Sequence, residues 1–143
     1  MESVVRMELD IPQARLAQLF ADPRNNLKWM KDLERLEPLS GEPGEVGSVY
    51  RLIQKQGGRD FVVTVRSRNL PGEVTFLLDE PSVSVVVTGT FVQLTPRRTL
   101  FTSREVFRFK GIVRQIFGFF ARAAIDQAHR DQMKAFRRFA EEQ

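Results

Sequence analysis

From the N-terminus to Phe109, apolar and polar positions alternate mostly with a period of two; beyond Gly111 the pattern becomes helical. Val5, Met7, Leu9 and Ile11 alternate with Arg6, Glu8 and Asp10, which predicts a half-buried strand. Pro12 opens a short helix whose apolar face is Leu16, Leu19 and Phe20. Asp22-Pro23 is a second helix start, an N-cap followed by a proline at the first helical position, and this helix leads to Trp29. Leu33, Leu36 and Leu39 fall in an irregular strand, and the loop Ser40–Glu45 follows.

Three further turns divide the next four strands. A two-residue turn at Gly57-Gly58 predicts a hairpin between Ser48–Gln56 and Arg59–Arg68, with Leu52 opposite Val63 and Tyr50 opposite Val65. Leu70-Pro71-Gly72 and Asp79–Ser82 bound the strand of Val74, Phe76 and Leu78. Placing Leu78 opposite Val83 extends the inner set through Val85, Val87, Gly89 and Phe91, with Gly89 expected at a bulge or bend. After the turn Thr95–Arg98, Phe101, Ser103, Glu105, Phe107 and Phe109 share one face of the last strand, and Arg104 and Arg108 lie on the other.

The helical stretch Gly111 to Glu142 carries two apolar stripes. Ile112, Val113, Ile116, Phe120, Ala123 and Ala124 form the first; Ile125, His129, Met133, Phe136 and Ala140 form the second. At ~100° per residue the two point roughly 150–180° apart, so a straight helix cannot aim both at one sheet. A kink near Gly118 would let the first stretch close a pocket mouth. The alternative is an apolar patch through Ile112, Ile116 and Phe120 that meets a second copy or a membrane surface.

The 143 residues fit a single domain over 1–143, with 42% hydrophobic and 28% charged residues as in ordinary soluble proteins. Twelve Phe against one Trp and one Tyr suit dry apolar walls, because Phe has no polar tip. The absence of Cys removes disulfide and thiolate chemistry and is compatible with a cytoplasmic location. No signal-peptide pattern precedes the first strand, and no apolar run reaches membrane-spanning length. The net charge of +4 reads as a solvated basic surface, since no run of five Lys/Arg occurs. Nucleic acid is not an expected partner, because Phe and Arg of the last strand alternate to opposite faces and cannot form one stacking platform.

A long terminal helix after seven strands requires a curved sheet to cover its apolar stripe. The expected fold is α+β: a curved seven-stranded antiparallel sheet wrapped around a long C-terminal helix, with two short helices after the first strand. Local motifs point the same way. Ile11-Pro12, Leu16-Ala17, Phe20-Ala21-Asp22-Pro23 and Trp29 resemble the opening of the START/SRPBCC (Bet v-like, helix-grip) superfamily. Gly44–Ser48 resembles its glycine loop, and Leu94-Thr95-Pro96 with Thr99 resembles its last turn. Phe109-Lys110-Gly111, leading to Met133–Phe136 and Phe139–Glu141, is similar to its terminal helix in the polyketide cyclase/dehydrase-like branch. The resemblance covers essentially the whole chain. It implies a family of lipid carriers, receptors, aromatase/cyclases and quinone-binding proteins, and no single activity.

Among residues with chemistry, Glu105 stands out, because parity points its carboxyl inward among Phe101, Phe107 and Phe109. Burial there would raise its pKa and suit it to acid–base work, unless it pairs with an Arg such as Arg122. His129 is the sole histidine, so a multi-histidine metal site is excluded and no metal is expected; as a general base it would have a suitable pKa. Tyr50 and Ser103 could offer polar tips to a ligand. Ser103, His129 and Glu105 contain the residue types of a catalytic triad, but no nucleophile-elbow sequence surrounds the serine.

The expected pocket lies between sheet and C-terminal helix, lined by Phe61, Val63, Val65, Phe76, Val85, Val87, Phe101, Phe107, Met133 and Phe136. Its polar points are Tyr50, Ser103, Glu105 and His129. The function expected first is binding or transport of a hydrophobic small molecule, such as a lipid, quinone or aromatic polyketide, without a cofactor. The second is a cyclase or dehydratase using Glu105 or His129 as acid/base, and the third is a protein-interaction or membrane-docking module.

Overall fold

The computed structural model describes residues 1–56, 58–112 and 121–143. In chain order the elements are β1 (Glu2–Leu9), α1 (Gln13–Ala21), a 3-10 turn (Pro23–Asn25) and α2 (Asn26–Trp29). Then come β2 (Leu33–Ser40), β3 (Val49–Gln54), β4 (Phe61–Asn69), β5 (Glu73–Glu80), β6 (Val83–Thr95), β7 (Arg98–Phe109) and α3 (Ala121–Glu141). The strands form one antiparallel sheet in the order β1-β7-β6-β5-β4-β3-β2. The sheet curves around α3, the helix-grip arrangement, with α1 and α2 completing the closure.

Helix starts follow the local chemistry. Pro12 is the N-cap of α1, and Asp22 accepts a hydrogen bond from the Arg24 backbone N–H at 3.0 Å with Pro23 in the first turn. Gln13 Nε2 donates to the Phe91 carbonyl at 2.7 Å and Thr99 Oγ1 donates to the Ile11 carbonyl at 2.7 Å, tying the entry of α1 to the last hairpin. His129, Met133, Phe136 and Ala140 are buried along one stripe of α3, and Ile125 is half-buried.

Strand parity is as the alternation predicts, but two registers differ. Across β3 and β4, Tyr50 pairs with Val63 and Leu52 with Phe61, two residues from the expected register. The strands end at Gln54 and Phe61, so the connection is longer than a two-residue turn, and the Gln54 N–H is taken by the Asp60 carboxylate at 2.9 Å. Gly57 lies outside the described residues. Likewise Leu78 faces Val85, because β5 runs to Glu80 and turns at Pro81-Ser82. A slip of two preserves the face of every side chain, which is why the inner set survives it.

Gly89 is not at a bulge: it pairs in register with Val74 on one side and Ser103 on the other. A Cβ at this position would lie 2.7 Å from Phe20 Cε2, so glycine here admits a ring from α1. Phe20 is the hub of the core, with ring centroids 5.0 Å from Phe101, 5.2 Å from Phe136, 6.0 Å from Phe91, 6.3 Å from Phe76 and 6.4 Å from Trp29. Such aromatic pairs contribute ~0.5–1.5 kcal/mol each beyond area burial.

The first apolar stripe of the terminal segment is only partly within the described residues. Ile112 is 75% exposed, and Ala123 and Ala124 are exposed on α3. Val113, Ile116, Gly118 and Phe120, with the expected kink, lie outside the described residues. No helix among the described residues is long and apolar enough to cross a membrane.

Candidate functional site

The aromatic core fills the interior beside α1 and leaves a cavity of about 70 Å³ toward α2 and β3. Phe20 and Ala21 of α1, Trp29 and Met30 around α2, and Tyr50, Leu52 and Val63 of β3 and β4 form part of its wall. Phe76, Leu78 and Val87 continue the wall along the sheet, Ser103 and Glu105 come from β7, and Gln132 and Met133 come from α3. Asn26, Met30, Leu78 and Gln132 are half-buried and mark the side nearer solvent. The volume is well below the ~300–1,000 Å³ usual for drug-sized ligands.

Of the residues the sequence singled out, Tyr50, Val63, Phe76, Val87, Ser103, Glu105 and Met133 border this cavity. The others do not. Val65, Val85, Phe101 and Phe136 are buried in solid core. Phe61 is half-buried, and Phe107 stacks on Phe109 at 6.2 Å, displaced along β7 from the cavity. Parity identifies a face, whereas position along the strand decides whether a residue meets the cavity or the ring cluster. Leu52 and Leu78 were missed. Leu52 and Leu78 share parity with Tyr50 and Phe76, so the signal for them was present.

His129 stands behind the wall. Its Nε2 is 2.9 Å from Ser103 Oγ, and its Nδ1 is 2.9 Å from Ser3 Oγ and 3.5 Å from Glu105 Oε1. The strand register builds this cluster: Ser3 of β1 faces Glu105 of β7, and Ser103 lies two residues along on the same face. The buried stripe of α3 then inserts the ring among them. Glu105 faces His129 and not Arg122, which lines a separate groove between β1 and α3 with Asp126 and Arg130.

Burial controls the electrostatics. Loss of hydration pushes the Glu105 carboxyl up to about 7, from an ordinary 4.5. The same cause lowers His129 from 6.5 to about 4, against an upward pull from Asp126. At neutral pH the ring is therefore uncharged and the carboxyl is poised between its two forms. Burial also raises the Tyr50 hydroxyl above its usual range, so it is a neutral donor. Tyr50 borders the cavity with this neutral hydroxyl. Among the described residues, Trp29 Nε1 is buried with no hydrogen-bond partner.

Ser103, His129 and Glu105 thus come together, but not as a nucleophilic triad. Ser103 sits mid-strand in β7, paired with Val5 on one side and Gly89 on the other, so the surrounding backbone N–H groups belong to sheet ladders. No pair of free donors is left there to hold an oxyanion. No group of three or more metal-ligating side chains occurs among the described residues.

The sequence matches the family described as polyketide cyclase / dehydrase and lipid transport over residues 2–141, and the chain belongs to that family. Membership supports a ligand-binding or cyclase-type role, with a hydrophobic small molecule as the class of partner. No curated protein sequence matches the chain. Solved structures are similar in fold at low identity. A conserved protein from Geobacillus kaustophilus is 16% identical with a TM-score of 0.75, covering 99% of this chain and 96% of that one. Truncated norcoclaurine synthase from Thalictrum flavum is 13% identical with a TM-score of 0.73, covering 100% and 96%. DynU16, a protein of the dynemicin biosynthetic locus, is 15% identical with a TM-score of 0.72; the match covers 98% of this chain and 47% of that one.

Proposed function

We propose that this protein binds a hydrophobic small molecule in the cavity between the sheet and α3, holding a polar end of the ligand against Tyr50 and Glu105. The observation that carries this reading is the wall itself: apolar on nearly every side, with a neutral phenol and a carboxyl held only loosely by His129. A few polar groups in an apolar cavity fix a ligand's orientation, while the walls supply affinity. The cavity of about 70 Å³ is small, so a lipid- or polyketide-sized ligand requires the half-buried side chains Asn26, Met30 and Gln132 to move outward.

A second reading is favoured by Glu105. A carboxyl at about 7 in an apolar wall is suited to take and return a proton, as cyclisation or dehydration of a polyketide-like substrate requires. The substitution Glu105→Gln separates the two readings, because it keeps the shape and removes the titration. Native mass spectrometry of the purified wild type and E105Q proteins tests both. A carrier retains the same co-purifying molecule in both proteins, whereas an acid/base enzyme accumulates an unconverted molecule in E105Q. An empty cavity in both proteins contradicts both readings.

A further inference from the structure

His129 does not line the cavity, yet its ring meets three polar side chains. It is 1% exposed, and its ring nitrogens meet two serine hydroxyls and one carboxylate drawn from β1 and β7. A histidine ring is often held by a carbonyl or a carboxylate, which fixes one tautomer. A hydroxyl imposes no such choice, since it rotates to donate to a bare nitrogen or to accept from a protonated one. With Ser3 at Nδ1 and Ser103 at Nε2, the ring is satisfied in either tautomer and as imidazolium, with no backbone movement.

We propose that His129 is the positioning residue that sets the proton state of Glu105: imidazole and carboxyl share one proton, and Ser3 and Ser103 accommodate the ring in both forms. This rests on the reading of Glu105 as an acid/base. The step balances simply. The Ser3 hydroxyl turns its hydrogen away from His129 Nδ1; the proton then leaves Glu105 Oε1 and bonds to that nitrogen, the carboxylic acid becomes a carboxylate, the ring becomes imidazolium with its new N–H shared between the Ser3 and Glu105 oxygens, and the net charge of the pair is unchanged. At 3.5 Å the two groups are in contact but not hydrogen-bonded, so proton exchange requires them to close up, as catalytic contacts do once a ligand is bound. The charged groups facing the ring are Glu105 from β7 and Asp126 from the preceding turn of α3; β1 offers only the Ser3 hydroxyl. Asp126 favours the imidazolium and burial opposes it; a Glu105 carboxylate 3.5 Å from Nδ1 acts in the same sense as Asp126. A ligand donor that hydrogen-bonds to Glu105 therefore drives the proton onto His129 and leaves a carboxylate base beside the ligand.

The titration part of the test needs no ligand. His129 is the only histidine, so its ring 15N signals are unambiguous in the full chain. They are followed with the Glu105 carboxyl 13C signal across pH in wild type, E105Q, H129Q, S3A and S103A. A shared proton makes both nuclei report the same two apparent midpoints. E105Q then lowers the ring's proton affinity by about tenfold, or about one pH unit. S3A and S103A each leave the joint titration in place but skew the tautomer ratio in opposite senses, which also serves if H129Q fails to fold. Separate single titrations, with the ring unaffected by E105Q, overturn the proposal. Joint titration in a protein that converts no ligand would sustain the pair and remove the acid/base reading. Conversion that survives H129Q unchanged would overturn the pair and leave Glu105 acting alone.

Discussion

The ring of Phe20 occupies the space where a side chain at position 89 would be, with Cε2 only 2.7 Å from an ideal Cβ on Gly89. This contact sets how deeply α1 sits in the sheet and therefore where the aromatic core ends and the cavity begins. The neighbouring atoms belong to a packed ring with five aromatic partners, so they cannot give way cheaply.

Gly89→Ala is therefore expected to destabilise the fold by about 1–3 kcal/mol through overpacking, despite the entropic benefit of alanine in a strand. Thermal unfolding checks this, with a Tm lower by several degrees. Adding Phe20→Leu to the alanine variant restores part of the loss relative to Phe20→Leu alone, because the two sites are in contact. Additive losses would show that the clash is not the cause.

Glu105 and His129 give stability a defined pH dependence. The folded Glu105 pKa of about 7 lies above its ordinary 4.5, so the folded chain holds a proton that the unfolded chain has released. That contribution is full below 4.5 and is lost as pH rises through 7. His129 is depressed to about 4 from 6.5, so its contribution is full above 6.5 and is lost as pH falls through 4. Between 4.5 and 6.5 the two slopes oppose each other, and the pair's contribution is flat in the wild type.

Removing one partner uncovers the other. Glu105→Gln makes stability rise as pH climbs toward 6.5, and His129→Gln makes it fall between 4.5 and 7. A shift of Glu105's size corresponds to on the order of 3 kcal/mol, measured as the difference between E105Q and wild type at pH 8 against pH 4. Urea denaturation at a series of pH values provides the measurement; parallel curves for all three proteins would contradict it.

Trp29 carries a buried Nε1 without a partner among the described residues. Leaving such a donor unmade costs about 1–3 kcal/mol, so Trp29→Phe loses ring area but relieves that penalty. It is expected to change stability by less than about 1 kcal/mol, whereas Trp29→Ala costs about 3–5 kcal/mol by opening the core. Circular dichroism is the required probe, since Trp29 is the only tryptophan. A large loss in Trp29→Phe would mean that the indole N–H is engaged.

The sequence was most legible where a periodic pattern meets a punctuating residue. Asp22-Pro23, Leu70-Pro71-Gly72 and Thr95–Arg98 all sit at element boundaries, and strand parity sorted Tyr50, Val63 and Phe76 to the inner face. Register was less legible, because pairing Leu52 with Val63 or with Phe61 buries the same side chains. Gly89 was misread for a related reason: a missing side chain signals either a bend in its own strand or an intruder from elsewhere, and only the fold reveals Phe20. The site was half legible. Parity placed Ser103 and Glu105 inward, but the meeting of His129 with Ser3, at a separation of 126 residues, depends on the helix phase and the β1–β7 register together.

The central claim, that the space beneath α3 receives an apolar ligand, is tested most directly by methyl chemical-shift mapping of the full chain titrated with 2-naphthol, a small apolar molecule with one hydroxyl. Saturable shifts are expected at Leu52, Val63, Leu78, Val87 and Met133, which border the cavity from four strands and the helix. Shifts confined to exposed methyls such as those of Val46, Val92 and Leu94, or no shifts at all, would contradict it.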